Sequence, residues 1–352
     1  MPWSEHQAAT TNDFVRQETL AVAKRRPFLG ALFRHGRVTY DWDGIEKQWP
    51  LRYKRATMQP FGDGDSVTFA RVEKRKKLTM PLRSYVLGES INEFDLQINK
   101  NRGAIIKLWA NKTEEMIDDI RAQFNKKLIQ SDGYAAGSER EIMGLDAAFG
   151  KGSASGNNLT FLPSDTYAGR STALAGLGGT WTGTWPEGSG DEQYDAHSPL
   201  ITDQSGSAWS GNWAAQSEEH LGYVIINTER NGYTPTFILL AKNLYNDHIN
   251  NMRASQRTVV YRTPDADAPK VGFGFSPLVI QQDGVELTWD TDVVASKGYA
   301  LCLEEMYLDS SQSQLFVAKM DYDIETTSDR IKLQFFGNLI IEALRCQAKI
   351  DD

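Results

Sequence analysis

Three histidines in this chain stand close to carboxylates: His197 near Asp195, His220 after Glu218 and Glu219, and His248 after Asp247. Imidazoles and carboxylates are sensible metal ligands. No HxxH or HExxH spacing places two of these imidazoles on one helical face, so no metal site is assigned. A second set of carboxylates, Glu187, Asp191, Glu192 and Asp195, lies next to Trp181 and Trp185. Paired carboxylates can do acid–base work on a glycosidic bond while rings stack on the sugar. A glycan-binding or glycan-cleaving cleft is therefore one alternative. No GxSxG, P-loop or GxGxxG pattern occurs. Gly176-Leu177-Gly178-Gly179 neither follows a clean strand nor opens a helix, so it makes no phosphate cradle. Cys302 and Cys346, the only cysteines, sit in apolar strand-like surroundings and read as buried free thiols. No residue is assigned to catalysis or to a cofactor, and the chain reads as something other than an enzyme.

Charge narrows the classes further. The 352 residues carry a net charge of −8, with 40% hydrophobic and 24% charged positions. A packed core is within reach of this composition. A dedicated nucleic-acid binder is usually basic, so DNA can be a neighbour but not a gripped ligand. No run approaches about 18 consecutive apolar residues, so no membrane-spanning helix is read. The polar start (Glu5, His6, Asn12, Asp13, Arg16) lacks an apolar signal region, which points to a protein made and kept in the cytoplasm. The densest basic run is Glu73-Lys74-Arg75-Lys76-Lys77. Its plain reading is a solvated turn.

The elements that would carry these groups are legible in order. Residues 1–60 read as an extended N-terminal arm, punctuated by Pro27, Gly30, Gly36 and Gly44. Gly62-Asp63-Gly64-Asp65 is a turn signal. After it, alternation over Ser66–Val72 and again over Leu78–Val86 predicts a long hairpin with the basic run at its tip. Pro81 would confine its strand to an edge. Ser90-Ile91-Asn92-Glu93 fits a capping box, followed by Met116, Ile120, Phe124 and Leu128 at four-residue spacing. That spacing predicts a helix over Ile91–Gln130, about 60 Å long if continuous, with Glu114, Glu115, Asp118 and Asp119 at mid-length. A Gly/Ser/Thr/Trp-rich stretch covers 150–212. Strands are then expected at Tyr223–Ile226, Thr236–Leu240, Val259–Tyr261, Leu278–Ile280, Val285–Trp289, Tyr299–Leu303, Leu315–Met320, Ile331–Phe336 and Leu339–Leu344. A helix through Leu244, His248 and Met252 interrupts them.

This order of parts resembles the major capsid protein of tailed double-stranded DNA phages. The local matches are Tyr167-Ala168-Gly169-Arg170-Ser171, the strand and helix of Pro235 to Met252, and Gly274-Phe275-Ser276-Pro277-Leu278-Val279-Ile280. They continue with Asp283-Gly284-Val285, Trp289-Asp290-Thr291-Asp292 and Lys297-Gly298-Tyr299-Ala300-Leu301. The resemblance spans roughly residues 55 to 345. The Trp-rich stretch from Gly176 to Trp213 departs from it, and no scaffolding-type coiled N-terminal segment is evident.

The resemblance implies an α+β capsid fold in five parts: an N-terminal arm (1–60), an extended hairpin loop (61–89), a peripheral domain with the spine helix (90–214), an apical domain (215–320) and a return to the peripheral domain (321–352). It implies self-assembly into hexamers and pentamers of an icosahedral head in the host bacterial cytoplasm, around packaged double-stranded DNA. The partners would be further copies of itself, a scaffolding protein, a portal and a decoration protein, with no membrane. It also implies that the Lys74, Arg75, Lys76 and Lys77 tip meets a neighbour's acidic helix face at Glu114, Glu115, Asp118 and Asp119. Some members of that family form lysine–asparagine cross-links between neighbours, and Lys74, Lys76 and Lys77 lie in the matching region. An encapsulin-like compartment shell would use the same fold.

Overall fold

The computed structural model describes residues 26–53, 58–66, 73–92, 102–154, 159–174, 176–177, 185, 196–204, 211–229, 232–254, 280–282, 285–323, 325 and 327–352. Helix α1 (Pro27–Arg34) leads to strands β1 (Val38–Thr39), β2 (Glu46–Arg52), β3 (Arg75–Pro81) and β4 (Arg83–Asn92), then to the long helix α2 (Arg102–Gln130). Short strands β5 (Lys151–Ala154), β6 (Thr160–Pro163), β7 (Thr166–Tyr167), β8 (Arg170–Ser171) and β9 (Leu200–Asp203) follow. Next come α3 (Trp213–Thr228), β10 (Phe237–Ala241), α4 (Lys242–Ala254), β11 (Ile280–Gln282), β12 (Val285–Asp290) and β13 (Lys297–Leu301). The described chain closes with β14 (Met306–Ser310), β15 (Val317–Asp323), β16 (Ser328–Ile341) and β17 (Ala348–Asp351).

Two sheets organise these elements. An eight-stranded sheet runs β11-β12-β10-β13-β17-β9-β6-β5, and a five-stranded sheet runs β1-β14-β16-β15 with β4 also on β16. Every residue of β10 is buried, as a continuous apolar run held between two neighbours should be. It pairs parallel with β12 and antiparallel with β13. Strand β16 changes character along its length. Residues 328–336 largely alternate between buried and partly exposed positions, whereas Gly337–Ile341 are all buried. The first stretch covers one face of the core and the second passes through it. The chain leaves the eight-stranded sheet after Leu301, builds β14 to β16, and rejoins that sheet at Ala348. The exchange points between the two sheets therefore fall at 302–305 and 342–347.

Several expectations need correction. The hairpin partner of β3 is β2, paired antiparallel from Glu46↔Pro81 to Arg52↔Arg75; residues 67–72 lie outside the described set. Arg75, Lys76 and Lys77 are strand residues, not a tip. Ser90, Ile91 and Asn92 end strand β4 rather than cap a helix, because β4 pairs residue for residue with β16 from Arg83↔Gly337 to Asn92↔Ser328. Period-two alternation over Tyr85–Ile91 outweighed the local capping pattern. The described helix begins at Arg102 and spans about 43 Å at 1.5 Å per residue. Residues 93–101 lie outside the described set.

The expected strand at Tyr223–Ile226 is part of α3. Trp213, Ser217, His220, Leu221, Val224 and Thr228 are its buried stripe, a helical spacing that the apolar run Val224-Ile225-Ile226 hid. The Asn212 side chain accepts the Ala215 N–H and starts this helix. Ile331–Phe336 and Leu339–Ile341 form one strand, β16. Val259–Tyr261 and most of Leu278–Ile280 lie outside the described residues. The described end of the expected arm is not extended: Phe28, Leu29, Ala31 and Leu32 of α1 are fully buried, and Pro27 occupies a first-turn position, where its missing N–H costs nothing.

Helix α2 is fixed at two levels. Its Phe124 ring meets Phe316 and Phe335 edge-on, with centroids 4.9 Å away in each case. One level along, the Asn125 amide donates to Asp290 at 3.0 Å and Asp292 at 2.7 Å. Arg26 pairs with Asp292 at 3.0 Å. Burial raises the Asp290 carboxyl above its usual range.

The five-stranded sheet carries a buried polar pair, Asp309 on β14 opposite Asn338 on β16. Asn338 accepts the Met143 N–H at 2.9 Å and donates to the Pro81 carbonyl at 3.0 Å. Beside it, a Cβ on Gly337 would lie 2.0 Å from the Asp309 carbonyl oxygen. Asn338→Ala leaves the buried Met143 N–H and the half-buried Pro81 carbonyl unpaired and should cost about 3 kcal/mol. Gly337→Ala should cost about 1–3 kcal/mol through overpacking. Ser84→Ala, on the exposed face of β4, should stay within about 0.5 kcal/mol of wild type. Urea unfolding midpoints separate these outcomes, and an unshifted midpoint for Asn338→Ala would remove the pair from its central role.

Candidate assembly surface

The β2–β3 ribbon is held along its length. Leu78 and Met80 are fully buried and Leu51 nearly so. The Thr79 N–H donates to the Ala168 carbonyl at 3.0 Å, and Arg170 Nε donates to the Lys77 carbonyl at 3.5 Å. These props come from the β7–β8 hairpin, whose two turn residues, Ala168 and Gly169, have φ of 49° and 74°. A two-residue hairpin turn needs such left-handed positions. Tyr167 locks that hairpin to β16, its hydroxyl accepting the Ile341 N–H at 2.9 Å. At the other end of the ribbon, the Tyr53 N–H donates to the Lys74 carbonyl at 3.1 Å.

Beyond that bond the described loop residues, Met58–Ser66, are exposed. The Gly62–Asp65 segment is a tight turn: the Asp65 carboxylate accepts the Gly62 N–H at 2.9 Å, and Gly64 has φ of 88°. Met58 is 94% exposed and Phe61 is 68% exposed. Sequence reading did not single out these two residues. The available signal was a pair of large apolar side chains flanking Gln59-Pro60 beside a Gly/Asp turn.

The basic residues lie behind this tip. Lys74, Arg75 and Lys77 are exposed, whereas Lys76 is half-buried, bonded to Glu73 at 3.0 Å and 5.6 Å from the Tyr53 ring centroid. Glu114, Glu115, Asp118 and Asp119 are all exposed on α2. Lys112 binds Glu89 at 3.2 Å and Glu115 at 3.4 Å, and these hydrogen bonds raise its pKa. The basic and acidic sets thus occupy different elements of one chain. Asp119 stands at the rim of an apolar cleft of about 110 Å³ between α2 and the five-stranded sheet, walled by Tyr85, Val86, Leu87, Phe124, Phe316 and Leu333. Val86 in that wall is 57% exposed.

The other candidate chemistries do not converge. His197 Nε2 lies 3.1 Å from the Tyr167 carbonyl, His220 sits between Gln204 and Thr202, and His248 faces the Ser217 hydroxyl at 3.0 Å. Among the described residues no group of three or more His, Cys, Asp or Glu side chains could hold a metal ion. Trp185 is 2% exposed and belongs to the core, so it offers no face to a sugar. Trp181, Glu187, Asp191, Glu192 and Asp195 lie outside the described residues. Cys302 and Cys346 are buried and unbridged. No described helix is long and apolar enough to cross a membrane.

No family model matches the sequence, and no curated protein is similar to it. Solved structures do match. A chain of the capsid asymmetric unit of cyanophage A-1(L) superposes with a TM-score of 0.54 at 16% identity, covering 93% of this chain and 92% of the other. The capsid of Myoviridae phage XM1 gives 0.53 at 9% identity, with 91% of each chain covered. The capsid of the native GTA particle gives 0.52 at 8% identity, covering 90% of this chain and 88% of that one.

The buried histidines set a pH test. Burial lowers His197 and His248 to about 4 and His220 to about 3, from 6.5. As pH falls below 6.5, the unfolded chain takes up protons that the folded chain refuses, so these groups lose stability through that window and level off near their folded values. Urea midpoints should fall from pH 7 to pH 5, and His220→Gln should shallow that slope. An unchanged slope in the variant would mean that His220 is not buried neutral.

Proposed function

We propose that this chain, which has the fold of phage major capsid proteins, is the repeating subunit of an icosahedral phage head. It associates with itself into hexamers and pentamers that enclose double-stranded DNA, and its role is structural rather than catalytic. The observation that supports the reading is the ribbon: two strands anchored in the core, with exposed Met58 and Phe61 in the segment that joins them. The partner surface in this reading is the apolar cleft beside α2. A tip of one copy seated in the cleft of the next is a head-to-tail contact, the kind that closes into rings. In that contact Lys74, Arg75, Lys76 and Lys77 stand behind the tip and face Glu114, Glu115, Asp118 and Asp119 of the neighbour. Covering two such apolar side chains is worth about 2–3 kcal/mol each at most. Each exposed ion pair adds about 0–1 kcal/mol. One contact is weak, and closure of a shell makes many act together.

Scaffolding, portal and decoration proteins are the further partners, with assembly in the host cytoplasm and the finished protein in the virion. With a net charge of −8, the chain contacts packaged DNA without sequence readout, since tight binding to phosphates needs clustered cations.

Electron microscopy of the purified protein, alone and with a co-expressed scaffolding protein, tests the reading. Closed shells or regular rings are expected from the wild type. The double variant Met58→Asp/Phe61→Asp should keep the wild-type thermal midpoint but remain in small soluble species. A wild type that stays monomeric under every condition sinks the shell role. A double variant that assembles normally moves the contact away from the ribbon tip. Shells filled with a cargo protein instead of DNA would replace a phage head with a compartment shell.

A further inference from the structure

The chain's only two thiols meet where it passes between the sheets. Strands β13 and β17 pair antiparallel with Lys297↔Asp351, Gly298↔Ile350, Tyr299↔Lys349 and Ala300↔Ala348. Continued two residues further, that register sets Cys302 opposite Cys346. The ladder stops short of them, and the buried Gln347 side chain takes its place. It accepts the Cys302 N–H at 2.9 Å and donates to the Cys302 carbonyl at 3.1 Å. Directly opposed residues have Cβ atoms about 4.5–5.5 Å apart, and a disulfide needs about 3.5–4.5 Å. Cys302 and Cys346 pack together with Ala343, at 1% and 0% exposure. The Cys346 thiol donates to the Ala343 carbonyl at 3.3 Å and accepts from the Gln347 amide at 3.7 Å. Beside each other the two thiols are pushed apart, Cys302 below the usual cysteine range and Cys346 above it.

We propose that Cys302 and Cys346 form a redox-dependent disulfide that staples the crossing between the two sheets. Between them runs the whole excursion from Leu303 to Arg345, which supplies β14, β15 and β16 to the five-stranded sheet. The oxidant is a low-molecular-weight disulfide. The Cys302 thiolate attacks it and releases one thiol. The Cys346 thiol, held above the usual cysteine range by Cys302 and burial, then gives up its proton as its sulfur displaces the second. One S–S bond forms within the protein and one breaks in the reagent. The two protein thiols lose two electrons and two protons, and the reagent leaves as two thiols. Reducing cytoplasm keeps the pair as thiols, and an oxidising medium closes it. Entry is governed by Tyr233, which packs on the pair. The Glu305 carboxylate near its hydroxyl raises the Tyr233 pKa, and the Arg345 guanidinium lies 5.5 Å from its ring centroid. Nothing in this staple depends on the shell role.

The test takes the purified full-length protein through oxidised glutathione or dithiothreitol, then alkylation under denaturing conditions, intact mass and non-reducing peptide mapping. After oxidation the chain should take up no alkyl group and no glutathione, and the peptides holding Cys302 and Cys346 should emerge joined. The oxidised protein should melt several degrees above the reduced one. Tyr233→Ala should oxidise several-fold faster, and Cys302→Ala or Cys346→Ala should erase the melting difference. Two alkylated thiols after prolonged oxidation of both wild type and Tyr233→Ala overturn the staple. So does glutathione retained on one cysteine, or a bond between chains.

Discussion

The molecule depends on one buried polar pair, Asp309 opposite Asn338. A carboxylate removed from water is tolerated only when it is paired and hydrogen-bonded. Asp309 meets that demand with three groups brought from far away in the chain: the Thr39 hydroxyl at 2.8 Å, the Asp41 N–H at 3.0 Å and the Lys47 ammonium. Asn338 does the same with Met143 and Pro81. Lys47 lies near the start of β2 and Pro81 ends β3, so the pair clamps both strands of the ribbon at its base. Shifting either strand by one residue would strand a buried charge or a backbone carbonyl. The ribbon is thus fixed at its base by this pair and along its length by Leu51, Tyr53, Leu78 and Met80 in the core.

Helix α2 braces the same sheet from the other side. Phe124 presses on Phe316 and Phe335 while Asn125 spans Asp290 and Asp292. The apolar level supplies attraction without direction, and the polar level supplies the register. Between this helix and β4 the packing leaves an unfilled apolar cleft. One chain thus carries both an apolar projection and an apolar recess, set on separate elements.

Much of this is legible in the residues. The apolar run Phe237–Leu240 announces a central strand, and the four-residue spacing from Met116 to Leu128 announces the long helix. The order of parts along the chain points to the capsid fold, although no single short motif does. What fails does so for physical reasons. The ribbon's partner strand cannot be read because Glu46–Arg52 carries Pro50 and mixed polarity, and its pairing is set by Asp309 and Asn338 rather than by its own pattern. Ser90-Ile91-Asn92-Glu93 satisfies the local rule for a helix start, yet a ten-residue ladder with β16 wins. Asp309 and Asn338 escape sequence reading, although a polar residue inside an apolar strand run is itself a signal that something must satisfy it. Of the expected contact residues, the acidic set lies on the predicted helix, whereas Arg75, Lys76 and Lys77 of the basic set lie on a strand and Lys74 just before it.

The seat of β17 has a kinetic meaning. It lies between β13, which it pairs antiparallel, and β9, which it pairs parallel from Ala348↔Leu200. Until β17 is synthesised, the eight-stranded sheet exists only as two unjoined halves, β11-β12-β10-β13 and β9-β6-β5. Strand β9 must wait with an open edge while the chain from Leu200 to Ala348 is made and folded. Long-range closure of this kind is slow, because the loop entropy is lost before the pairing is gained. An open strand edge in the interval is a template for pairing with other chains. Seating β17 thus also covers the edge that β9 leaves open.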